Sequence, residues 1–332
     1  MHTRVEVTDM SQVGEARRMA VQLGTHVHLD DDEVGRLGII ATEAASNLIK
    51  HGGGGEILLS SSNGGARRGV EIVALDHGRG MADLVRSMTD GVSTTGTPGS
   101  GLGALRRLSS ELEIYSAPQH GTALLARVWS SGAGAKTSHV LRVGGVCVPK
   151  PGEDVSGDAW ASVALADGCA LVVADGLGHG PGAATAAEEA VRVFKEDPTC
   201  APADCIAKIH RRLKPTRGAA VAVAHLDRAS GVVRYAGLGN ISAVIISDQH
   251  VTNLVSHHGT AGHEARKISE FRYKWPTDAA LIMFSDGLAT HWDLATYAGL
   301  GRRDPSLIAA VLYRDHRRGR DDTTVVVVRE EV

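Results

Sequence analysis

The sequence lacks the features that would place it outside the ordinary globular class. Aromatic residues make up only 4% of its 332 residues, so its cores have to be built mostly from Ala, Val, Leu and Ile. A formal net charge of −3 provides no electrostatic footprint for a nucleic acid. No apolar run is long enough to span a bilayer, and "MHTRVEVTDM" at the N-terminus lacks the apolar segment of a signal peptide. We therefore expect neither nucleic-acid binding nor membrane insertion.

Cysteine is also scarce, and its spacing is not that of a metal site. The four cysteines are Cys147, Cys169, Cys200 and Cys205. So few and so scattered thiols are typical of a reduced protein, which favours a cytoplasmic location.

The chain is long enough for two domains with separate cores. The stretch "WSSGAGAKTSH" is small, polar and glycine-containing between two apolar segments, as a flexible linker would be. We predict an α+β protein with an N-terminal domain at 1–129, a linker at 130–140 and a C-terminal domain at 141–332.

The most informative segment of the N-terminal half is "DDDEVGRLGIIATEAASNLIKHGGGG". Acidic residues gather at its start, which suits a helix N-terminus, and apolar residues recur at helical spacing. Glu43 and Asn47 stand four residues apart, so both side chains project from one helix face. An earlier helix is predicted over "SQVGEARRMAVQLG", with Ser11 as its cap and Gly24 as its end.

Two glycine-rich motifs follow this helix. "DHGRG" places Asp76 at the end of an apolar strand, and the glycines behind it allow a backbone to pass close to a ligand. "TGTPGSGLGALRRL" leads its glycines into a helical pattern, where backbone N–H groups can cradle phosphates. Either motif alone is common in turns and loops, whereas their order and spacing together are specific.

Taken together, E43xxxN47, D76xGxG80 and G99xG101xG103, followed by Gly121-Thr122, resemble the nucleotide-binding boxes of the GHKL ATPases. Within that superfamily the stretch is most similar to the RsbT-type switch-protein kinases, which are relatives of the RsbW anti-sigma factors. The resemblance covers nearly all of residues 4–129. It implies a Bergerat-type α/β sandwich that binds ATP and Mg²⁺.

The resemblance also implies a role for each matching residue. Asn47 would ligate the Mg²⁺ at the ATP phosphates, and Glu43 would orient or deprotonate the attacking hydroxyl. Lys50 would reach a phosphate, and Asp76 would accept a hydrogen bond from the adenine amino group, with Thr122 nearby. The remaining ATP-binding positions are glycines: Gly78, Gly80, Gly99, Gly101 and Gly103.

The C-terminal half contains eight short apolar strands and helical patterns near 182–194, 203–213 and 305–313, which predicts a β-sandwich flanked by helices. Several strands meet an aspartate at one end: Asp158 in "SGDAW", Asp175 in "VVADGLGHG", Asp286 in "MFSDGL" and Asp321 in "RDDTTVVVV". Any one Asp-Gly is an ordinary turn. Carboxylates packed together repel one another unless a cation neutralises them, so the four together predict a divalent metal site.

This series resembles the metal-dependent PPM phosphatases, in their SpoIIE/RsbX branch, over about residues 143–330. The resemblance implies two Mn²⁺ or Mg²⁺ ions bound by the four acids with the carbonyl of Gly176, and a phosphoserine or phosphothreonine protein substrate. Asp322 competes with Asp321 as a ligand, and motif alignment favours Asp321. Many eukaryotic relatives place a phosphate-binding arginine four residues before the first acid. That position is Asp154 here, so the group that binds the substrate phosphate is left unassigned.

The fusion of the two halves implies a bifunctional switch, a serine/threonine kinase joined to an opposing phosphatase. Family resemblance points to a STAS-domain partner of stressosome or anti-anti-sigma type, with a downstream regulator or sigma factor as a further candidate. An alternative is that the N-terminal half sequesters a partner in the presence of ATP without transferring phosphate. A non-catalytic scaffold is disfavoured, because Glu43, Asn47 and the four acids are all retained.

Overall fold

The computed structural model describes residues 1–64, 67–82, 101–131, 141–248 and 250–331. Its chain divides into two compact units, one of His2–Ser138 and one of His139–Val332 with Met1. Gly99 and most of the predicted linker lie outside the described residues, and the boundaries drawn at 129 and 141 stay predictions. The predicted architecture of two α+β domains, the second of them built on a β-sandwich, is confirmed.

The first unit is a two-layer sandwich with one antiparallel sheet in the order β1-β2-β3-β5-β4. Its strands are β1 Thr3–Val7, β2 Gly55–Gly64, β3 Arg67–Leu75, β4 Glu111–Ser116 and β5 Thr122–Trp129. Its described helices are α1 Met10–His26, α2 Asp31–Asn47 and α3 Gly101–Leu108, with a short π-helix at Leu48–Gly52. The apolar stripes of the first two helices pack on one face of the sheet, so that Leu37 and Ile40 are fully buried with Ile57 and Ile72.

Both long helices begin with a capping box. Asp30 Oδ1 accepts the N–H of Glu33, and Glu33 Oε2 in turn accepts the N–H of Asp30. In α1 the cap is Asp9 and not Ser11: Asp9 accepts the N–H of Ser11 at 2.8 Å, and Gln12 accepts the N–H of Asp9 at 2.8 Å. Gly24 does not end this helix either. A Cβ there would stand 2.7 Å from Leu37 Cδ1, so this glycine allows the two helices to pack closely.

The second unit is a sandwich of two five-stranded antiparallel sheets, ordered β13-β10-β9-β8-β7 and β12-β11-β14-β15-β6. The strands of the first sheet are β7 Asp158–Leu165, β8 Gly168–Gly176, β9 Ala219–Asp227, β10 Val232–Leu238 and β13 Phe271–Lys274. Those of the second are β6 Leu141–Val148, β11 Ser242–Ile246, β12 Val251–Asn253, β14 Ala280–Phe284 and β15 Thr323–Glu330. The described helices are α4 Pro181–Glu196, α5 Pro202–Arg212 and α6 Pro305–His316.

Alternation along β8 divides the packing of this unit between two cores. Leu171 and Val173 face the space between the sheets, where they meet residues such as Met283. Ala170, Val172 and Ala174 face the other way, toward the alanine-rich face of α4. Small side chains on both surfaces let the helix approach closely, which accounts for a core that needs few aromatic residues. The four cysteines form no disulfide.

One ion cluster stabilises the sheet of the first unit. Arg127 on β5 stands opposite Glu71 on β3 and Glu111 on β4. Its guanidinium donates to Glu71 from Nε at 2.8 Å and to Glu111 from Nη1 at 3.1 Å. Burial alone would raise the pKa of Glu71, but the charge of Arg127 and hydrogen bonds from His2 and Arg127 lower it to about 2.

Replacing Arg127 by Met should therefore leave a buried carboxylate without its cation. We expect the free energy of unfolding at pH 7 to fall by about 3–5 kcal/mol, measured by chemical denaturation. Because the pKa of Glu71 is lowered from 4.5 to about 2, its contribution is present above pH 4.5 and is lost as pH falls toward 2. In Arg127→Met this acid-dependent loss should shrink.

The matched control is the double variant Glu71→Leu/Arg127→Met, which removes both charges and should recover much of the lost stability. A single variant as stable as the wild type, or a double variant no more stable than the single one, would contradict this account of the cluster.

Candidate functional site

The first group of predicted site residues lies where α2 meets α3. Glu43 and Asn47 stand one turn apart on α2, and both are half-buried. A Cβ on Gly101, the first residue of α3, would stand 3.2 Å from Glu43 Oε2 and 3.6 Å from Asn47 Oδ1. A carboxylate and an amide thus face the N-terminal end of a helix, where free backbone N–H groups attract anions. Gly103 is buried within the same helix.

The π-helix Leu48–Gly52 continues directly from Asn47 and packs against the loop after β3. A Cβ on Gly52 would meet Asp76 Cβ at 2.6 Å, and one on Gly78 would meet the carbonyl oxygen of His51 at 2.7 Å. Glycine at both positions is what lets the two backbones touch. Such single π turns are common at functional sites. Lys50 lies on this turn with an exposed side chain.

Asp76 organises the second group of predicted residues. It is 8% exposed, and its Oδ1 accepts the N–H of Gly78 at 2.8 Å and the N–H of Thr122 at 3.1 Å. Gly121, beside Thr122, has φ +68°, and a Cβ there would stand 2.1 Å from the carbonyl oxygen of Asp76. Gly80 lies nearby with its Cβ position against the carbonyl of Ala117. These contacts hold the carboxylate in place as a fixed acceptor.

The four predicted acids of the second unit come in pairs from the two sheets. Asp158 opens β7 and Asp175 lies near the end of β8, where the two are register partners. Asp286 follows β14 and Asp321 precedes β15, whose ends also pair. Because these ends lie on one side of the sandwich, strand register brings the carboxylates to a common place.

Two side chains that sequence reasoning did not assign hold these acids. The Ser285 hydroxyl donates to Asp158 Oδ2 at 2.6 Å and accepts the N–H of Thr324 at 2.9 Å, which ties the two sheets together. Asn240 Nδ2 donates to Asp286 Oδ2 at 2.8 Å. Ser285 precedes Asp286 in the "SDG" motif and Asn240 falls in "GNI", so both lay within recognisable sequence. Their contacts with the two acids depend on residues 46 and 127 positions away in the chain.

The shared position of the acids strongly alters their proton affinity. Burial, followed by the charges of Asp158, Asp286 and Asp321, raises the pKa of Asp175 to about 9. Burial also raises the pKa of Asp158 to about 7, although the Ser285 hydrogen bond acts in the opposite direction. The pKa of Asp286 is raised by burial and by the charge of Asp321. The end of the sandwich therefore holds more negative charge than the protein itself compensates.

An open cavity of about 280 Å³ lies over this charge, and Asp175, Asp286 and Asp321 line it. Asp158 Oδ1, which is buried, has no hydrogen-bond partner among the described residues. Within the same residues, no three His, Cys, Asp or Glu side chains already form a metal-ligand cluster. The donor set is nonetheless all hard oxygen with uncompensated charge, which fits a divalent cation such as Mg²⁺ or Mn²⁺.

The two neighbouring aspartates before β15 have different surroundings. Asp321 lines the cavity, whereas Asp322 is 3% exposed and accepts the N–H of Lys150 at 2.9 Å. This favours Asp321 as the ligand, as the motif does.

His179 also lines the cavity, and its Nδ1 lies 2.6 Å from Glu153 Oε1. Gly176 is buried, and a Cβ there would stand 2.1 Å from the carbonyl oxygen of Ala183.

Residues 166–331, half of the chain, match the family model described as stage II sporulation protein E (SpoIIE). The chain belongs to the SpoIIE family. Residues 7–128 of this SpoIIE-family protein match the model of the histidine kinase-like ATPase domain. The chain thus joins a kinase-like ATPase domain to a SpoIIE-type phosphatase domain, and both predicted resemblances are confirmed.

Two relatives illustrate these matches. The first unit is similar to the serine/threonine-protein kinase RsbT of Bacillus subtilis (strain 168), with 29% identity over 114 residues, 34% of this chain and 86% of the relative. A solved structure described as "The bacterial stressosome: a modular system that has been adapted to control secondary messenger signaling" matches 57% of this chain and 99% of its own, at 28% identity and TM-score 0.54.

A structure of RsbX in complex with magnesium matches 57% of this SpoIIE-family chain and 95% of its own, with 18% identity and TM-score 0.52, and supports the fold alone. In the described part of the chain, no helix has both the length and the apolar character needed to cross a membrane.

The uncompensated charge predicts an unusual effect of Asp175→Asn. Because the pKa of Asp175 is raised from 3.8 to about 9, the metal-free folded protein disfavours a carboxylate that the unfolded chain ionises above pH 3.8. The amide removes this cost, so at pH 7 the metal-free variant should melt at a higher temperature than the wild type. The increase should be about 2–4 °C for each kcal/mol relieved.

With added Mn²⁺ the wild type should melt at the higher temperature. The ion would stabilise the wild type by binding to its folded state, whereas the variant lacks one of the ligands. The control Asp167→Asn changes an exposed aspartate at the turn of the same hairpin and should alter neither melting temperature. Equal Mn²⁺-induced shifts in the wild type and Asp175→Asn would remove Asp175 from the metal site.

Proposed function

We propose that this SpoIIE-family protein is a bifunctional switch, which phosphorylates a protein serine or threonine with its first unit and removes the phosphate with its second. The observation that carries the proposal is the presence of two differently built sites on one chain. One faces Glu43 and Asn47 toward a helix N-terminus, and the other places three aspartates on a cavity wall with Asp158 buried beside them.

In the first unit, the residues are suited to positioning a nucleotide and a hydroxyl. The N-terminal end of α3 offers backbone donors to phosphate oxygens, and Asn47 would ligate the Mg²⁺ that accompanies them. Glu43, on the same helix face, would accept the proton of the attacking hydroxyl or orient it. Asp76, held by two backbone N–H groups, would accept from the adenine amino group. Lys50, on the π-helix, would reach a phosphate.

In the second unit, the four aspartates and the Gly176 carbonyl would hold a pair of divalent ions. When bound, such ions neutralise the charge of a phosphate ester and make a nucleophile available at neutral pH. The protein's own residues fix the geometry: Ser285 orients Asp158, and Asn240 orients Asp286. The cavity above them is open enough to admit a phosphorylated side chain.

The relatives' names and the two proposed activities support a choice of partner. One similar protein is a serine/threonine-protein kinase, and one similar structure belongs to the bacterial stressosome. A single substrate that both units act on would be a STAS-domain protein of stressosome or anti-anti-sigma type, with a sigma factor or downstream regulator acting after it. Phosphorylation level on that partner would be the output of the switch.

The test uses γ-labelled ATP, Mg²⁺ and Mn²⁺, and a STAS-domain protein from the same genome. Asp175→Asn should accumulate label on the partner, whereas the wild type should hold it at a low level because removal opposes transfer. Adding Glu43→Gln to this variant should lower the labelling rate by about 10²-fold or more, since the base or orienting group is gone.

The phosphatase is tested separately with para-nitrophenyl phosphate and a phosphothreonine peptide. Wild type should hydrolyse both with Mn²⁺ and stop when EDTA removes the ion, and Asp175→Asn should fall to about a hundredth or less. An Asp175→Asn protein with full activity would refute the metal-site assignment. If the partner stays unlabelled but binds the protein tightly only when ATP is present, the first unit sequesters its partner and does not act as a kinase.

A further inference from the structure

The cavity above the aspartates is lined mainly by acidic and neutral residues. Asp175, Asp286 and Asp321 carry its negative charge, and Asn240 and His179 supply polar groups. Lys150 is the only one of the described lining residues with a permanent positive charge. A phosphomonoester carries close to two negative charges at neutral pH, so a cation on this wall has an evident use.

The backbone of Lys150 is fixed at both of its polar groups. Its N–H donates to Asp322 Oδ1 at 2.9 Å, and its carbonyl accepts the N–H of Glu153 at 3.0 Å. The second bond closes the turn Lys150-Pro151-Gly152-Glu153, in which Gly152 has φ +90°. Proline followed by a glycine of positive φ is the sequence of a type II turn, and the proline ring fixes one of its backbone dihedrals. The lysine therefore extends from a rigid base.

Its ammonium, in contrast, has no assigned task within the protein. Among the described residues it makes neither an ion pair nor a hydrogen bond, although three carboxylates line the same cavity. A lysine kept beside acidic groups but not paired with them is available to a ligand. Lysine binds phosphate as a compact point charge with three rotatable donors.

Two other cations come near the site without lining the cavity. The Arg217 guanidinium lies close to Gly178 and Gly182, 3.4 Å and 2.7 Å from the Cβ positions of these residues. The charge of Arg318 lowers the pKa of Asp286, against the larger effect of burial. Neither arginine lines the cavity, so Lys150 is the best placed of the three cations to contact a phosphate inside it.

We propose that the ammonium of Lys150 binds the phosphate of the phosphoserine or phosphothreonine substrate. The inference rests on the proposed phosphatase function and adds the group that this function left unassigned. Asp322 acquires a role through it: buried beside Asp321, it holds the backbone of Lys150 instead of lining the cavity. The two neighbouring aspartates of "RDDTT" then have different roles. Asp321 would bind the ions, and Asp322 would position Lys150 for the substrate phosphate.

The experiment compares the full chain with Lys150→Met, Lys150→Arg, Arg217→Met and the control Lys195→Met. Lys195 is an exposed lysine at the far end of α4 and loses the same charge from the same unit. For each Mg²⁺-loaded protein, calorimetry measures the Kd of inorganic phosphate. Steady-state hydrolysis of para-nitrophenyl phosphate gives KM, kcat and the inhibition constant of phosphate.

Lys150→Met should raise the phosphate Kd, the inhibition constant and KM by about tenfold or more, because a charged hydrogen-bond donor is lost. Since the ions would remain, its Mg²⁺ affinity should stay within about twofold of the wild type. Lys150→Arg should retain phosphate binding within about threefold, and Lys195→Met should match the wild type. A retained melting temperature in Lys150→Met shows that the loss is one of binding.

The inference is overturned if Lys150→Met binds phosphate as tightly as the wild type does. It is also overturned if, of the variants, only Arg217→Met weakens phosphate binding. It is also overturned if the wild type binds no phosphate. A wild type that binds phosphate but hydrolyses no phosphoester with any divalent ion would refute the proposed phosphatase, and the calorimetry would still decide the role of Lys150.

Discussion

Mutual repulsion among buried carboxylates is the constraint on which the second unit depends. Asp158 and Asp175 are held side by side by strand pairing, and a second pair approaches from the opposite sheet. Folding energy from two alanine- and valine-rich cores has to offset this cost when no cation is bound. The folded unit therefore favours the binding of positive charge at this place. A bound metal ion or the nearby lysine on the cavity wall would each reduce the repulsion.

The first unit meets the opposite requirement under the proposed function, because it would receive a highly negative nucleotide. Segments of its backbone approach one another closely at four glycines. A Cβ at any of them would collide with or crowd a neighbouring group: Gly52, Gly78, Gly101 and Gly121. These glycines bring a helix start, a π turn and a strand end to the same groups. One carboxylate, Asp76, is tolerated there because backbone N–H groups already bind it.

Much of the fold could be predicted because it follows from local pattern. The eight long strands of the second unit and its helices carry apolar periodicity in the sequence itself, and Asp-Gly pairs mark where strands stop. Two strands were missed, Val251–Asn253 and Phe271–Lys274; they are short, lie at sheet edges and have mostly exposed side chains. The cap of α1 was misplaced by two residues, since Ser11 and Asp9 both have capping chemistry and only backbone direction separates them. Contacts such as Ser285 to Asp158 had no local signal, because they depend on how two sheets face each other.

The hairpin of β7 and β8 has a further consequence for how this chain can change. Its two aspartates lie at the open end, while its turn, near Asp167, lies eight strand residues away. Length added at that turn leaves the pairing of Asp158 with Asp175 untouched, whereas a single residue inserted within either strand moves one acid to the opposite face of the sheet. The far end of the hairpin is thus a natural place for evolution to graft new recognition elements, and the strands themselves are closed to insertion.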